Sequence, residues 1–327
     1  MHYSRRGAIQ FLGTLGAAAL VPLDALWARA AADGALTFLA VGDWGREGRN
    51  RQSEVAKQMG LTAERIGARF VISVGDNFYD SGVTGVDDPA WRKSFENIYT
   101  ERSLQVPWRV ILGNHDYQGN TQAQIDYSKK SDRWQLPARW YDFVEHAPDG
   151  STVHFFALDT SPMIDEYFKS GGKVAIAGER DNVPLQLSWL DQALTRSTAT
   201  WKILVGHHPI YTGKAGDLAV GSDLAEHRYG GTRELIELLD PIIQRHRVPL
   251  YLNGHDHDLQ HVVHNKGHYV CTGAGSLTDD HCYLGESDFC SLNSGFVACL
   301  ANRKQLRLVY RDFRGNELHV VDIARTA

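Results

Sequence analysis

The sequence has little sulfur and no excess of positive charge. Four cysteines and three methionines stand among 327 residues, and no cysteine pair has the Cys-x-x-Cys spacing of thiolate zinc sites or thioredoxin-like motifs. Lysine and arginine total 34 against 39 aspartate and glutamate residues, which gives a net charge of −5. A mildly acidic chain without a basic patch is unsuited to non-specific nucleic-acid binding, so no nucleic-acid partner is expected.

Long apolar runs and low-complexity segments are also missing. The apolar segment 8–23 is short for a membrane span of about 20 residues, and it is diluted by Gly13, Gly16 and Pro22. Hydrophobic residues make up 43% and charged residues 22% of the chain, which excludes a disordered, collagen-like or coiled-coil protein. The length fits one large α/β domain or two smaller domains.

The first 31 residues have the pattern of an export signal. Arg5 and Arg6 form a positive region, the apolar segment 8–23 follows, and residues 28–30 have the Ala-x-Ala pattern of a cleavage site. The arginine pair is also similar to the twin-arginine signal, which carries proteins that have already folded. We therefore predict a signal peptide of twin-arginine type over 1–31, export to the periplasm or the extracellular space, and no stable membrane anchor after cleavage. An uncleaved anchor is the alternative.

Strand and helix patterns alternate over residues 35–327 and predict a single catalytic domain of the α/β class with a mixed sheet. Apolar runs predict strands at 36–41, 70–74, 108–112, 153–158, 201–205 and 250–252. Helical spacing covers 53–70, 89–99, 184–195 and 232–247, the last with a kink at Pro241. After residue 260 the pattern changes to short strands, including a hairpin around 265–267.

Five of the predicted strands end in a polar cluster that begins with glycine. The clusters are Gly42-Asp43-Trp44-Gly45, Gly75-Asp76-Asn77-Phe78-Tyr79, Gly113-Asn114-His115-Asp116, Gly206-His207-His208-Pro209 and Gly254-His255-Asp256-His257. Ligands bind beyond the carboxyl ends of the strands in open α/β sheets, so we expect these clusters to share one crevice. The glycines are expected to let the backbone turn sharply there. Oxygen and nitrogen donors without sulfur suit iron, manganese or zinc.

Each cluster alone has an ordinary structural explanation, and only their joint occurrence points to a site. A Gly-Asp pair after a strand is commonly a turn or a helix cap. Tyr79 alone would be a packed aromatic residue, and Asn114 alone would stabilise a loop. His255 and His257 are two residues apart and would share one face of a strand, which suits joint metal binding.

All four cysteines lie in one C-terminal stretch. They are Cys271, Cys282, Cys290 and Cys299. An even number in an exported protein permits disulfides, and Cys282–Cys290 is the favoured pair because both residues sit in a polar, glycine-rich loop. Free or buried thiols are the alternative.

The five clusters, in this order, resemble the metallophosphoesterases (the calcineurin-like superfamily). Within that superfamily they are similar to purple acid phosphatases of the small, tartrate-resistant, animal-like type. Segments 158–160, 186–190, 251–257 and 273–275 carry the same likeness, which runs from about residue 36 to residue 312. Most metallophosphoesterases begin with Asp-x-His and lack a metal-binding tyrosine. Here Trp44 and Gly45 follow Asp43, and Tyr79 follows Asp76 by three, which points to the purple subgroup.

The resemblance implies a four-layer α/β/β/α sandwich with mixed sheets and a binuclear metal centre of Fe(III) with a divalent ion, either Fe, Zn or Mn. The implied ferric ligands are Asp43, Asp76, Tyr79 and His257. The implied ligands of the second metal are Asp76, Asn114, His207 and His255, with Asp76 bridging. This division agrees with chemistry, since Fe(III) prefers anionic carboxylate and phenolate donors.

The resemblance also implies roles beside the metals. It places His115 next to the substrate, where the ring would bind phosphate or protonate the leaving oxygen, with Asp116 orienting that ring. Asp279 matches a family position near the substrate. His208 is interpreted as a wall of the pocket, with a surface position as the alternative. The remaining histidines His261, His264, His268 and His281 are expected to be solvated.

The implied function is an acid phosphatase, a phosphoric monoester hydrolase in which a metal-activated hydroxide attacks the phosphorus. Small phosphate esters or phosphopeptides are the implied substrates, and a monomer is expected. A phosphodiesterase, nucleotidase or protein phosphatase remains open, because specificity depends on loops such as 119–135, 161–182 and 212–231. A non-hydrolytic metal-binding or redox protein is the alternative of a different class. Whether the segment 165–182 regulates access also stays open.

Overall fold

The computed structural model describes residues 34–168, 179–213, 232–282 and 287–325. The predicted signal peptide lies outside the described residues, as do 169–178 of the segment 165–182. The strands within these ranges are β1 Leu36–Val41, β2 Val71–Ser73, β3 Trp108–Val110, β4 Trp134–Gln135, β5 Tyr141–His146, β6 Thr152–Ala157, β7 Trp201–Val205, β8 Leu250–Asn253, β9 Leu259–His264, β10 Gly267–Thr272, β11 Ser287–Ser291, β12 Gly295–Ala301, β13 Gln305–Asp312 and β14 Glu317–Ala324.

Helices are fewer and shorter. They are α1 Gln52–Ile66, α2 Thr121–Tyr127, α3 Val183–Arg196, α4 Arg233–Leu238 and α5 Asp240–His246. One wide helical turn spans Trp91–Glu96, and tight single turns occur at Arg102–Leu104, Asp116–Gln118, Ser161–Met163, Asp165–Phe168 and Arg180–Asn182. Among the described residues, no helix combines the length and apolar character needed to cross a bilayer.

The strands form two mixed sheets of seven. The first sheet has the order β14-β13-β12-β1-β2-β3-β4, and the second has the order β11-β9-β10-β8-β7-β6-β5. Neighbouring strands from β1 to β4 are parallel, as are β6, β7, β8 and β10. The carboxyl ends of β1, β2 and β3 therefore open at one edge of the first sheet, and those of β7 and β8 open at one edge of the second.

Alternation along β1 shows how the layers pack. Phe38 belongs to the core between the two sheets, where its ring lies 5.3 Å from that of Phe155 in β6. Leu39 belongs to a second core under α1, with Met59. Helices α3, α4 and α5 cover the outer face of the second sheet through a third core. The predicted four-layer α/β/β/α sandwich is confirmed.

Local chemistry explains where helices end and begin. Helix α1 ends at Ile66 and is capped by Gly67, whose φ of 62° lets its N–H reach the carbonyl oxygens of Ala63 and Glu64. The helical pattern 232–247 splits into α4 and α5, and Pro241 lies in the first turn of α5. Proline lacks an N–H, so it starts a helix more readily than it continues one.

Short elements at the edges escaped sequence-based prediction. Strand β5 lies at the end of the second sheet beside β6, and its side chains alternate between half-buried and exposed positions. Helix α2 and strand β11 were also not predicted. A disulfide joins Cys282 to Cys290, as the sequence favoured. Cys271 and Cys299 are buried free thiols.

Candidate metal centre

The backbone enters the left-handed region at three of the predicted ligands themselves. The φ angle is 59° at Asp43, 50° at Asp76 and 71° at His255. Residues other than glycine rarely adopt such angles, and they persist where the surroundings hold them. We expected the glycines to make the sharp turns, but only Gly75, with a φ of 97°, has a positive φ among the five strand-end glycines.

Two of the other strand-end glycines, Gly113 and Gly254, make room for carboxylates. A Cβ atom at Gly113 would collide with Oδ1 and the backbone nitrogen of Asp76. A Cβ atom at Gly254 would collide with Oδ2 of Asp43. Each glycine therefore lets a carboxylate from another strand approach the backbone closely.

Buried aromatic residues stand next to the ligands and fix their loops. Trp44, which follows Asp43, is fully buried and donates a 2.8 Å hydrogen bond from Nε1 to Ser73 Oγ. Its ring lies 5.6 Å from that of Phe78, which precedes Tyr79. The amide of Tyr79 in turn donates a 2.9 Å bond to the carbonyl of Gly45. The first two ligand loops are thus held together by both packing and backbone bonding.

The phenol oxygen of Tyr79 lies at the centre of one donor cluster. It is 2.9 Å from Asp43 Oδ1, 2.9 Å from Asp76 Oδ2 and 2.9 Å from His257 Nε2. A hydroxyl has one hydrogen, so it satisfies only one of these acceptors. Two carboxylate oxygens within 2.9 Å of one phenol oxygen fit a hard cation such as Fe(III), which would neutralise them.

Electrostatics around Tyr79 oppose its ionisation as long as no cation is bound. Burial and the neighbouring carboxylates of Asp43 and Asp76 raise the pKa of Tyr79 well above its ordinary value, and the Arg46 guanidinium acts in the opposite direction. A cation between these oxygens would reverse the balance, because metal ligands bind in their deprotonated form.

A second cluster forms around His207. Its Nδ1 donates a 2.9 Å hydrogen bond to the carbonyl of Val74, which leaves Nε2 as the nitrogen that could bind a metal. That Nε2 is 3.1 Å from Asn114 Oδ1, 3.3 Å from His255 Nδ1 and 3.4 Å from Asp76 Oδ1. Amide, imidazole and carboxylate donors at these distances fit a divalent transition metal.

Asp76 belongs to both clusters. Its Oδ2 faces Tyr79, while its Oδ1 faces His207 and accepts a 2.8 Å bond from the backbone amide of His115. Although burial opposes both charged forms, this pairing lowers the pKa of Asp76 and raises the pKa of His207 to about 9. The oxygen donors come from loops of the first sheet, and the imidazoles of His207, His255 and His257 come from loops of the second.

His257 and Asp279 form the outer side of the first cluster. Nε2 of His257 lies 3.5 Å from Asp43 Oδ1, and its Nδ1 lies 3.9 Å from Asp279 Oδ1. The amide of Asp279 donates a 2.9 Å bond to the carbonyl of His257. We expected Asp279 near the substrate, and the structure places it beside the ring nitrogen of His257 that faces away from Tyr79.

His115 lies at the accessible edge of the first cluster. Its ring packs 4.4 Å from that of Tyr79, and its Nδ1 lies 2.6 Å from the carbonyl of Asp80. A carbonyl only accepts, so Nδ1 carries the hydrogen and Nε2 is the nitrogen left for a bound ester. A partly exposed imidazole with one such nitrogen suits proton transfer to a bound ester.

The prediction that Asp116 orients the ring of His115 is wrong. The Asp116 carboxylate is fully buried and accepts hydrogen bonds from the backbone amides of Asn77 at 3.1 Å and Gly113 at 2.9 Å, and from Gln124 Nε2 at 2.8 Å. It faces the protein interior, whereas the carbonyl of Asp80 holds the ring of His115. Asp116 therefore fixes two ligand loops rather than the imidazole.

His208 is a buried wall of the site, so the alternative of a surface position is wrong. It is 1% exposed, and its ring lies 4.3 Å from that of His255. Both of its ring nitrogens already have partners at 2.8 Å, Thr160 Oγ1 at Nδ1 and Tyr167 Oη at Nε2. Burial and the neighbouring His207 lower the pKa of His208 well below its ordinary value. A neutral imidazole with a hydrogen bond at each ring nitrogen packs against the predicted ligands and is not counted among them.

Two further features differ from the sequence-based expectations. His261 was expected to be solvated but is only 5% exposed, and it lies between His268 at 3.0 Å and His319 at 3.3 Å. Arg46 was not singled out from the sequence, yet its guanidinium covers the ring of Tyr79 at 3.6 Å from the centroid. No period or motif in the sequence indicates either contact.

Comparison with known proteins assigns the family. The family model of the calcineurin-like phosphoesterases matches residues 36–259. Purple acid phosphatase 4 of Arabidopsis thaliana is 37% identical over 304 residues, which cover 90% of this chain and 85% of that protein. Tartrate-resistant acid phosphatase type 5 of Homo sapiens is 37% identical over 276 residues, which cover 80% of each.

Solved structures share the fold. GAP50, the anchor in the inner membrane complex of Plasmodium, superposes with a TM-score of 0.74 at 24% identity over 90% of each chain. A purple acid phosphatase from yellow lupin seeds superposes with a TM-score of 0.61 at 16% identity, covering 89% of this chain and 54% of that one. The sequence relatives confirm the predicted class, phosphoric monoester hydrolase. The chain belongs to the calcineurin-like phosphoesterases and, within them, to the purple acid phosphatases.

Proposed function

We propose that this chain hydrolyses phosphate monoesters at acidic to neutral pH with a binuclear centre of Fe(III) and a divalent ion. Asp43, Asp76, Tyr79 and His257 would hold the iron, and Asp76, Asn114, His207 and His255 would hold the divalent ion. The observation that carries this proposal is the position of Asp76, whose two oxygens face the two donor clusters. Small phosphate esters and phosphopeptides are the substrates that fit this class.

The side chains divide the work in this proposal. When bound, the metal pair would supply an acidified water as the nucleophile and would offset charge on the phosphoryl oxygens. His115 would protonate the leaving oxygen from Nε2, since Nδ1 is engaged by the carbonyl of Asp80. Asp279 would hold the outer nitrogen of His257, and Asp116 would keep the loops of Asn77 and Gly113 in place.

Kinetics on a panel of esters test the reaction. We expect the protein, purified from its own host with its metals, to favour monoesters over diesters in kcat/KM. A preference for diesters, nucleotides or phosphoproteins would contradict the proposed substrate class but would leave the proposed metal site unchanged. No turnover of any phosphate ester, with both metals present, would overturn the proposal in favour of a non-hydrolytic metal protein.

Colour tests the ligand assignment separately. A phenolate bound to Fe(III) absorbs visible light, so the oxidised protein should be purple or pink, and Tyr79→Phe should bleach it while leaving iron bound. Elemental analysis of the same preparations identifies the second metal. A colourless protein with full iron occupancy, or a coloured Tyr79→Phe variant, would show that the tyrosine assignment is wrong.

We also propose that the chain is exported through the twin-arginine route and acts outside the cytoplasm. The arginine pair at residues 5 and 6 supports this route, and already folded cargo suits a protein that acquires its metals before export. The disulfide between Cys282 and Cys290 supports an oxidising destination.

A further inference from the structure

Arg46 stacks on the ring of Tyr79 and has no role in the chemistry described so far. The carbon at the centre of its guanidinium lies 3.6 Å from the centroid of the phenol ring, a close cation–π distance. Its side chain is only 12% exposed. The contact is therefore largely shielded from water, where such interactions are stronger than at an exposed site.

The guanidinium is held in place by the loops that form the site. Its Nε donates a 3.2 Å hydrogen bond to Ser276 Oγ, and that hydroxyl donates a 2.5 Å bond to the carbonyl of Asp43. The backbone amide of Arg46 donates a 3.0 Å bond to Gln52 Oε1. Arg46 is thus tied to the residue that precedes Trp44 and to the start of helix α1.

Asp80 forms an ion pair with Arg46, but this pair is too exposed to be the main interaction of the guanidinium. Its Nη1 lies 3.6 Å from Asp80 Oδ1, and the Asp80 side chain is 89% exposed. Exposed ion pairs contribute little because water screens them. The positive charge of Arg46 therefore acts mainly on the phenol ring beneath it.

A cation over an aromatic face attracts the electrons of the ring. When the phenol is ionised, its negative charge spreads from the oxygen into the ring, so the attraction grows. Asp43 and Asp76, both 2.9 Å from Oη, act in the opposite sense on the same electrons. In the proposed centre, one stacked cation and two carboxylates would therefore act in opposite directions on the donor strength of the phenolate.

We propose that Arg46 is a positioning residue that acts through Tyr79: by stacking on the phenolate it weakens electron donation to the iron and raises the iron reduction potential. This inference rests on the proposed iron–phenolate pair. Arg46 would then also affect the energy of the visible absorption band, because that band arises from the transfer of an electron from the phenolate to Fe(III). A phenolate without the cation gives up its electron more easily, so the band moves to longer wavelength.

Three substitutions and one control test the inference on the intact, metal-loaded protein. Arg46→Gln and Arg46→Met both remove the charge, and methionine keeps an unbranched chain over the ring. Arg46→Lys keeps a charge but loses the planar fork. Arg49→Gln is the matched control, since Arg49 lies in the same loop and is exposed, and its amide and Nε donate to the backbone carbonyl of Arg46 at 3.0 Å and 3.3 Å, away from the guanidinium.

The readouts are the band maximum, the midpoint potential of the iron and the iron stoichiometry. We expect Arg46→Gln and Arg46→Met to move the band to longer wavelength and to lower the midpoint potential at unchanged iron content. Arg46→Lys should give a smaller shift, and Arg49→Gln should give none. If one neutral variant fails to fold, the other decides, because the two place different chemistry over the ring.

Three results would overturn the inference, and they are distinguishable. If both neutral variants keep the wild-type band and potential with iron bound, Arg46 only supports the loop, and a rise in KM alone would assign it to the substrate instead. If the iron-loaded wild type has no visible band, the iron–phenolate assignment itself fails and this inference fails with it. If Arg49→Gln shifted the band and the potential by the same amount, the effect would come from the loss of any nearby positive charge rather than from stacking on Tyr79.

Discussion

Asp43 and His255 are joined across the two sheets: the backbone amide of His255 donates a 3.0 Å hydrogen bond to Asp43 Oδ2. One residue follows β1 of the first sheet and the other follows β8 of the second. The contact is possible because Gly254 has no Cβ, which would otherwise collide with the same carboxylate oxygen. The bond holds a predicted ligand of one metal against a predicted ligand of the other.

Gly254→Ala should therefore damage the metal centre without unfolding the protein. The added methyl group displaces Asp43 and breaks its bond to His255, and loss of such supporting contacts lowers metal affinity by roughly 10–100-fold. Metal stoichiometry after dialysis measures the loss. Gly85→Ala is the control, because a Cβ there meets no atom within 4 Å. Equal metal retention in both variants would contradict the close-approach role of Gly254.

His115→Ala should leave metal content and colour nearly intact and lower kcat. For an ester with a poor leaving group we expect a loss of roughly 10²–10⁴-fold, as for a missing general acid. A nitrophenyl ester needs less protonation and should suffer less. Equal losses on the two esters would rule out proton donation, a rise in KM alone would indicate ground-state phosphate binding, and loss of metal would indicate a structural role.

Asp116→Asn should lower stability, because an NH₂ group would replace one of the two acceptor oxygens and would leave either the Gly113 amide or Gln124 Nε2 without its acceptor. Leaving such buried donors unsatisfied costs about 1–3 kcal/mol of the free energy of unfolding. Denaturant unfolding measures this cost, with Asp87→Asn as the control, since the Asp87 side chain is 86% exposed. If the variant were fully stable and reproduced the kinetics of His115→Ala, Asp116 would be orienting His115 after all.

His261→Gln should reduce the loss of stability in acid. Burial and the neighbouring imidazoles of His268 and His319 lower the pKa of His261 from 6.5 to about 4, and Asp288 opposes this shift. Between these pH values the unfolded chain binds a proton that the folded chain does not, so stability falls as the pH falls through the window. Across the whole window, this proton uptake lowers the free energy of unfolding by about 3 kcal/mol.

Unfolding free energies at pH 7 and pH 4 measure the contribution of His261. The difference between the two pH values should shrink in His261→Gln and stay unchanged in His146→Gln, which alters an exposed histidine on β5. An unchanged difference in His261→Gln would show that the three imidazoles do not limit acid stability.

Arg5→Lys combined with Arg6→Lys should block export, because the receptor reads the identity of the arginines rather than their charge. Cell fractionation measures the location of the protein. Arg29→Lys makes the same chemical change elsewhere in the signal and should export normally. Normal export of the double variant would exclude the twin-arginine route and leave ordinary secretion open.

The sequence predicted the strands and the ligand clusters because both are local signals. An apolar run that ends in Gly-Asp predicts a strand and the loop after it from neighbouring residues alone. The exposed edge strand β5 carries no such signal, because half of its side chains face water. The four-layer fold came from the resemblance rather than from the pattern alone.

Side-chain partners across the fold were not predictable in the same way. Asp116 was assigned to its sequence neighbour His115, but its real partners come from other loops and from helix α2. His261 contacts His319, which is 58 positions away. Such contacts depend on which strands become neighbours in the sheets, and no local pattern in a single sequence indicates that pairing.

The division of the donors between the two sheets has a consequence for the whole interior. Oxygen donors move with the first sheet and imidazoles move with the second, so any sliding of one sheet over the other changes the separation of the two donor sets. That sliding is governed by the apolar side chains between the sheets, such as Phe38 and Phe155. Packing substitutions between the sheets, far from the crevice, are therefore expected to change the spacing of the predicted metal ligands and, with it, metal affinity and selectivity.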